Sequence, residues 1–290
     1  MNLTQAGNRE VLELVPARPA SDGDGVRLLR VFGGENLTRF DPYLMLDEFG
    51  SYEARDYIGG FPSHPHRGFE TVTYMLEGQM EHRDHMDNVG VLRPGDVQWM
   101  KAASGVIHSE MPKQESGRMR GFQLWLNLPA AEKMTPAAYK DIKAAEIPYH
   151  KLDGVTIKAI AGNFKVGGTQ VTGAVTGLST EPGYLDLDLI AGANIRIDIP
   201  DGHTALLYVY DGSLLVGGAK SEVSNGHLVR LSRKGSLSMA ALEPSRALLI
   251  SGKPIGERVV HYGPFVMNSH SEIEQAIKDY NAGSLTQNAQ

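Results

Sequence analysis

Residues 59–111 read GGFPSHPHRGFETVTYMLEGQMEHRDHMDNVGVLRPGDVQWMKAASGVIHSEM, and this stretch decides the fold. Runs rich in β-branched and aromatic side chains, such as residues 71–76, alternate at short intervals with turns that contain glycine. Side chains of this kind favour strands, and short strands separated by glycine turns are typical of a β-sandwich or a β-barrel. The stretch therefore predicts an all-β domain.

Two pairs of side chains in the same stretch are separated by a single residue. They are His64 with His66, and His108 with Glu110. On a strand, positions i and i+2 lie on one face, so the two members of each pair point the same way. Three neutral imidazoles and one carboxylate that converge on a point form a site for a divalent transition metal. These four residues are therefore the predicted metal ligands.

The amino-acid composition excludes several kinds of functional site. The chain has no cysteine, which excludes disulfides, thiolate zinc sites, iron–sulfur clusters and cysteine nucleophiles. Lys and Arg number 28 and Asp and Glu number 34, so the net charge is 28 − 34 = −6, and such a chain binds nucleic acid poorly by direct contact. The N-terminus lacks a signal-peptide pattern, and no apolar run approaches the ~18 residues of a membrane helix. We expect a cytoplasmic protein that does not bind a membrane.

The second half of the chain repeats the layout of the first. Residues 205–216 consist of a strand, an acidic-glycine turn and another strand, as do residues 71–80. Aligning Gly212 with Gly78 gives an offset of 212 − 78 = 134 residues. This offset places Asp198, Pro200 and Leu242 opposite His64, His66 and His108. If the repeat is a duplication, the second copy has lost the metal ligands.

These patterns predict the domain boundaries. We expect an N-terminal metal-binding domain at residues 1–130, a connector at 131–150, a C-terminal domain at 151–265, and a helix with a tail at 266–290. Turn residues after Pro16 predict an exposed start over the first 25 residues, and the connector is expected to hold one or two helical turns. Ser271 and Glu274 fit a capping box for the final helix, and Gly283 fits its end.

Several motifs resemble those of a known family. The spacing of His64, His66, Glu70 and His108 resembles the two cupin motifs, and the chain is more narrowly similar to the pirin family. The segments that carry this similarity are DPYLMLDEF at 41–49, HPHRGFETVTY at 64–74, HSEMP at 108–112 and FQLWLNLP at 122–129. The similarity extends over nearly the whole chain.

The resemblance implies a fold and an activity. It implies two cupin (jelly-roll-like) β-barrels packed face to face, with a short C-terminal helix and a metal in the N-terminal barrel alone. The metal would be Fe(II), or Mn, Co, Ni, Cu or Zn, bound by His64, His66, His108 and Glu110, while Glu70 would not be a ligand. The expected activity is that of a quercetin 2,3-dioxygenase, which opens a flavonol with O2 and releases CO. Glu110 would then be the catalytic base, and the protein is expected to be a monomer.

Two alternatives remain at this point. The chain could be an iron-dependent interaction or co-regulator module of the pirin type, whose redox-sensitive surface is recognised by a protein partner. It could also be a cupin enzyme of another type, such as an isomerase acting on a small metabolite. The cavity discriminates between an enzyme and an interaction module, because only the enzyme needs room for an aromatic substrate beside the metal.

The other polar and aromatic residues near these motifs are assigned structural or supporting roles rather than metal binding. Arg67 and Glu70 either orient the imidazoles or form ion pairs within the barrel, and Trp99 and Trp125 are assigned to the core. The remaining histidines are expected to lie at the surface or to be simply hydrogen-bonded: His82, His85, His150, His203, His227, His261 and His270.

Overall fold

The computed structural model describes residues 7–34 and 36–287, and these residues fold mainly into antiparallel strands. The strands are β1 (Val11–Pro16), β2 (Arg18–Asp22), β3 (Val26–Phe32), β4 (Tyr43–Ser51), β5 (Phe61–His66), β6 (Phe69–Glu77), β7 (Met80–Asp84), β8 (Val89–Leu92), β9 (Val97–Lys101), β10 (Val106–Pro112), β11 (Met119–Asn127), β12 (Ala138–Ile142), β13 (Tyr149–Leu152), β14 (Val155–Ala161), β15 (Asn163–Val166), β16 (Thr169–Thr172), β17 (Gly183–Leu189), β18 (Asn194–Asp198), β19 (Thr204–Asp211), β20 (Ser213–Val216), β21 (Ser221–Ser224), β22 (His227–Leu231), β23 (Ser236–Ala241), β24 (Ser245–Gly252), β25 (Val260–Tyr262) and β26 (Phe265–Met267). The α-helix α1 spans His270–Asn281, and short 3-10 helices span Ala54–Asp56, Ala130–Glu132 and Ala144–Glu146.

The chain divides into two compact units. The first unit consists of residues 18–144 together with the chain from Ile255 onward, and the second unit consists of the chain up to Ala17 together with residues 145–254. This division differs from the predicted boundaries, which ran as consecutive blocks along the chain. The difference arises because each unit includes a terminal segment whose backbone pairs or packs with strands far away in sequence.

The two units have similar strand arrangements, each with a seven-stranded and a smaller antiparallel sheet. In the first unit a seven-stranded sheet has the order β12-β9-β6-β11-β4-β3-β2, and a four-stranded sheet has the order β5-β10-β7-β8. In the second unit the corresponding sheets have the orders β1-β22-β19-β24-β17-β14-β13 and β16-β15-β18-β23-β20-β21. Two antiparallel sheets of this kind, each with one apolar face inward, form a jelly-roll barrel. The predicted all-β class with two cupin-like barrels and a short C-terminal helix is confirmed.

The interior of the second unit is filled with apolar side chains. Residues such as Leu187 on β17, Leu207 on β19 and Leu249 on β24 belong to one continuous hydrophobic cluster and are fully buried. Strands β19 and β24 are buried along almost their whole length, which explains their nearly continuous apolar runs, whereas β18 alternates between exposed and buried residues.

The predicted exposed start is correct for most residues from Glu10 to Gly25, but this segment forms strands, and Arg9 and Val15 are buried. Strand β1 pairs antiparallel with β22, and it closes the edge of the large sheet of the second unit. Arg9 is fully buried, and its guanidinium donates to the carbonyl oxygens of Ser232 at 2.5 Å, Pro200 at 2.7 Å and Gly235 at 3.0 Å. Residues 1–6 lie outside the described part of the chain.

The predicted helical turns in the connector are only partly correct. Residues 138–142 form a strand, β12, which pairs with β9 at the edge of the first unit's large sheet. Only the short turns Ala130–Glu132 and Ala144–Glu146 are helical. The Ala and Lys residues favour a helix, but the unpaired edge of β9 offers backbone hydrogen bonds and a place to bury Ile142, and this tertiary pairing overrides the local preference.

Helix α1 has its N-cap two residues before the predicted one, Ser271. Its N-cap is Ser269, whose hydroxyl accepts from the backbone N–H of Glu272, and the Glu272 carboxylate accepts from the backbone N–H of Asn268. The glycine that ends the helix is the predicted one, because Gly283 has φ +71° directly after the C-cap residue. Within the described residues, no helix is long and apolar enough to cross a membrane.

Candidate metal centre

Two adjacent strands of the four-stranded sheet, β5 and β10, carry the predicted ligands. His108 on β10 lies directly opposite His64 on β5, and on its other side β10 pairs with β7. The register between β5 and β10 then shifts, so that Glu110 pairs with Phe61. Three steps along β5 thus oppose two along β10, which is a β-bulge, and bulges of this kind redirect side chains beside functional sites.

The structure brings the three predicted imidazoles together. One ring nitrogen from each of His64, His66 and His108 lies within 4.8 Å of the other two, and His64 Nε2 is 3.0 Å from His66 Nε2. His66 and His108 are almost completely buried, whereas His64 is partly exposed. The donor atoms of three separate side chains therefore meet at one point.

Hydrogen bonds orient two of these rings. His64 Nδ1 lies 2.7 Å from the Pro62 carbonyl oxygen, which only accepts, so Nδ1 carries the proton and Nε2 keeps its lone pair. His108 Nδ1 lies 2.9 Å from His82 Nε2. Among the described residues, no hydrogen-bond partner lies near the buried Nε2 of His108. A buried nitrogen without a partner beside two further imidazoles is the arrangement that a bound metal ion satisfies, so the residues present fit a metal.

The protonation of the rings also suits a metal. Burial lowers the pKa of His66 and of His108 well below the ordinary value of histidine, and the neighbouring imidazoles lower both further. Burial also lowers the pKa of His82. Since only the neutral imidazole can bind a metal through its lone pair, these rings are in the ligand form at neutral pH.

Glu110 lies beside the imidazole group but is not part of it. Its carboxylate is buried, Oε1 accepts from the Thr73 hydroxyl at 2.8 Å, and Oε2 lies 3.4 Å from Gln123 Nε2. The group of ligand atoms within 4.8 Å of one another contains three histidines and does not contain this carboxylate. Glu110 as the fourth ligand therefore stays a prediction.

A large cavity opens onto the site. Its volume is about 760 Å³, which lies in the range of small-molecule pockets, and His64, His66 and Glu110 form part of its wall. Much of the remaining wall is apolar: Leu28, Leu37, Met45, Phe49, Phe61, Met80 and Trp125. The cavity lies wholly within the first unit.

Three residues of the site were not predicted as such. His82 is buried against His108, His261 lies in the cavity wall, and Trp125, assigned to the core, also lines the cavity. The sequence signal for His82 was its place within the stretch that holds the predicted ligands; its position opposite Glu110 depends on the register of β7 and β10. For His261 there was no such signal, because only the tertiary fold brings the chain after Ile255 to the first unit.

Arg67 and Glu70 do not contact the imidazoles through hydrogen bonds. The buried guanidinium of Arg67 pairs with Asp279 of α1 at 2.6 Å, which is the ion-pair alternative. Glu70 lies on the face of β6 opposite to Thr73, and burial raises its pKa to about 7. That Glu70 is not a ligand stays a prediction.

Comparisons with known proteins point to one family. A family model described as pirin matches residues 25–126, and a model of the pirin C-terminal cupin domain matches residues 184–286. A Pseudomonas aeruginosa protein provisionally named quercetin 2,3-dioxygenase is 56% identical over 279 residues, which are 96% of this chain and 98% of that protein. Mouse pirin is 40% identical over 282 residues, which cover 95% of this chain and 93% of the mouse protein.

A solved structure supports the same assignment. The crystal structure of a quercetin 2,3-dioxygenase from Acinetobacter baumannii superposes with a TM-score of 0.87 at 34% identity, over 96% of this chain and 98% of that chain. Both family models, relatives aligned over nearly their full length and a shared fold therefore agree. The chain belongs to the pirin family.

Proposed function

We propose that the protein is a metal-dependent dioxygenase that opens the ring of a flavonol with O2 and releases CO. The observation that carries this proposal is the group of three imidazoles, two of which line a cavity of about 760 Å³ whose other walls are largely apolar. The names of the P. aeruginosa relative and the A. baumannii structure support the same activity. The substrates of the proposal are a small aromatic molecule of the flavonol type and O2.

The proposed ligands are His64, His66, His108 and Glu110. A divalent ion held there, Fe(II) in our proposal and Mn, Co, Ni, Cu or Zn as the other candidates, would polarise the flavonol oxygens and lower the pKa of its hydroxyl. The protein's own contribution is to present neutral imidazoles, to supply a carboxylate beside them and to keep water away with an apolar wall.

Glu110 is the proposed base that takes the proton of the flavonol hydroxyl. Thr73 Oγ1 lies 2.8 Å from Glu110 Oε1 and 2.6 Å from Gln123 Oε1, so one hydroxyl proton faces two acceptors. A proton on Glu110 resolves this shortage, because Glu110 can then donate to Thr73 while Thr73 donates to Gln123. The surrounding side chains are therefore arranged to hold the proton that the base accepts.

The cavity also favours an enzyme over an interaction module. A module recognised by its surface needs no enclosed apolar space, whereas a flat aromatic substrate needs one next to the metal. The alternative of an iron-dependent co-regulator predicts binding of a protein partner that changes with the oxidation state of iron. The monomeric state and the cytoplasmic location stay predictions, and light scattering coupled to size-exclusion chromatography tests the first.

The experiment is incubation of metal-loaded protein with quercetin, with and without oxygen. Samples reconstituted with each candidate metal are compared, and both the loss of flavonol absorbance and the CO in the headspace are measured. We expect quercetin to disappear only in the aerobic samples, with about one CO per quercetin consumed. Equal rates without oxygen, or no loss of absorbance with any metal, would refute the proposal.

A further inference from the structure

A polar cluster interrupts the apolar wall of the cavity. It consists of Arg30 on β3, Asp47 on β4 and Asp22 at the end of β2, and all three residues line the cavity. Arg30 Nε donates to Asp47 Oδ1 at 3.0 Å, and Arg30 Nη2 donates to Asp47 Oδ2 at 2.8 Å and to Asp22 Oδ2 at 3.1 Å. Two carboxylates therefore hold the guanidinium in a fixed orientation at the cavity wall.

The cluster still has hydrogen-bonding capacity. Within the part of the chain that the structure describes, Arg30 Nη1 has no hydrogen-bond acceptor, and 28% of the Arg30 side chain is exposed. Each carboxylate oxygen of Asp47 accepts a single bond in the described contacts, although it can accept two. The wall therefore offers a donor and an acceptor side by side.

The charge of the cluster limits what can bind there. One guanidinium and two carboxylates give a net charge of +1 − 2 = −1. Carboxylate, phosphate and sulfate groups are disfavoured at such a point by like-charge repulsion. A phenolic hydroxyl is neutral, and it can accept from Arg30 Nη1 while it donates to Asp47.

The cluster lies at a defined distance from the candidate metal centre. Arg30 faces Asp47, Asp47 faces Gln123 and Gln123 faces Thr73 across four neighbouring strands of one sheet. Adjacent strands are about 4.8 Å apart, so Arg30 is roughly 10 Å from Gln123, which borders Glu110. A flat molecule held at the imidazoles can extend along this row of side chains and reach Arg30 with its far ring.

We propose that Arg30, held by Asp47 and Asp22, is the subsite that binds a hydroxyl group on the ring of a neutral polyphenol farthest from the metal. This inference rests on the proposed function, since it deepens the nature of the substrate. It makes Arg30 a specificity-determining residue, which selects hydroxylated over unsubstituted outer rings and neutral over anionic ones.

Binding to metal-free protein tests this inference separately from catalysis. The two ligands are quercetin, whose outer rings carry hydroxyls, and 3-hydroxyflavone, whose outer rings carry none but which has the same hydroxyl and carbonyl for the metal. Affinity is measured by calorimetry and by quenching of tryptophan fluorescence, because Trp125 lies in the cavity wall. This binding experiment does not measure turnover, so its result can be interpreted even if the protein shows no dioxygenase activity.

Arg30→Met removes the donor and keeps most of the side chain. We expect quercetin to bind about tenfold more weakly to this variant, whereas the affinity for 3-hydroxyflavone changes by less than about twofold. The matched control is Arg27→Met, on the opposite face of the same strand, with its side chain 70% exposed; both affinities should stay as in the wild type. An equal loss for both ligands, or no loss for quercetin, would overturn the inference.

Two further experiments control for loss of folding and test the charge argument. If Arg30→Met alone proves unstable, the double variant Arg30→Met/Asp47→Asn replaces it, because it leaves no buried carboxylate at residue 47 without a partner. This variant should show the same selective loss of affinity for quercetin. Quercetin 3′-sulfate should bind wild-type protein at least tenfold more weakly than quercetin, and Asp22→Asn should narrow that gap. A sulfate that binds as well as quercetin would contradict the charge argument.

Discussion

His82 Nε2 lies 2.9 Å from His108 Nδ1, and both imidazoles are buried. If His108 binds a metal through Nε2, its Nδ1 must carry a proton, and His82 Nε2 must accept it. His82 then has to be neutral, which agrees with the lowering of its pKa by burial. A second imidazole thus fixes the tautomer of the candidate ligand, as a carboxylate or a carbonyl does in other metal sites.

Removal of this acceptor should weaken metal binding. We expect His82→Leu to lower the affinity for Co(II) or Ni(II) by about 10- to 100-fold, the range for groups that orient a ligand. His82→Gln can present an oxygen to His108 Nδ1 and should recover most of the affinity. Calorimetric titration of metal-free protein measures both, with His227→Gln at a partly exposed position of the second unit as the control. Wild-type affinity in His82→Leu would contradict the role of His82.

Removal of a candidate ligand should abolish metal retention. His108→Ala deletes the buried nitrogen that has no described partner, and the two remaining imidazoles bind a divalent ion too weakly to survive desalting. Elemental analysis after desalting measures the metal content, and His227→Ala is the matched control. Full occupancy in His108→Ala would show that the ion is held elsewhere.

The proposed base and its neighbour should affect turnover differently. Glu110→Gln cannot accept a proton, so we expect kcat for quercetin to fall by about 10²- to 10⁴-fold. Thr73→Val removes the hydroxyl that contacts Oε1, and we expect a fall of about tenfold with unchanged metal content. The control is Thr71→Val, on the same strand and the same face. Unchanged kcat in Glu110→Gln would exclude it as the base.

The stability of metal-free protein should depend on pH between 6.5 and 5. His66 and His108 stay neutral in the folded state, whereas in the unfolded chain they bind protons below about pH 6.5. Their contribution is therefore present above this pH and is lost as the pH falls. Burial raises the pKa of Glu70 to about 7, so Glu70 binds a proton in the folded state over this range but not in the unfolded chain. This offsets the proton that one of the two histidines takes up on unfolding.

The unfolded chain therefore binds more protons than the folded protein over this range, because burial also lowers the pKa values of His82 and His203. Each extra proton corresponds to a loss of about 1.4 kcal/mol of unfolding free energy per pH unit. Urea unfolding at pH 6.5 and pH 5 measures the loss, and His108→Asn should reduce it because it removes one of the titrating groups. A metal-free protein that becomes more stable over this range would contradict the assignment.

Lys133 should be a strong determinant of stability. Its buried ammonium donates to Gly68 O and Asn127 Oδ1 at 2.6 Å each and to Val266 O at 3.0 Å. Three acceptors match three N–H donors, so the charged form fits this site although burial lowers the pKa of Lys133 to about 7. Lys133→Met should destabilise the protein by about 3 kcal/mol or more, because each unsatisfied buried group costs about 1–3 kcal/mol.

Urea or thermal unfolding measures this loss. Lys140→Met, at an exposed position of β12, is the control and should change stability by less than about 0.5 kcal/mol. An equal effect of the two substitutions would show that the three hydrogen bonds of Lys133 contribute little.

The sequence by itself determined the all-β class, the repeated layout and the meeting of the three histidines. The i, i+2 spacing places His64 and His66 on one face of a strand, because side chains alternate along an extended backbone. Turn glycines and β-branched runs are equally local signals, and they located most strands of the first barrel, including β3 and β6.

The tertiary structure alone decided which distant segments complete each barrel and what surrounds the imidazoles. The exchange of β1 and of the chain after Ile255 between the units depends on open sheet edges and unfilled cores, which no local pattern encodes. The contact of His82 with His108 and the row from Arg30 to Thr73 depend on the register of neighbouring strands. Register is fixed by bulges and by packing across the barrel, because a shift of one residue would turn every side chain to the other face.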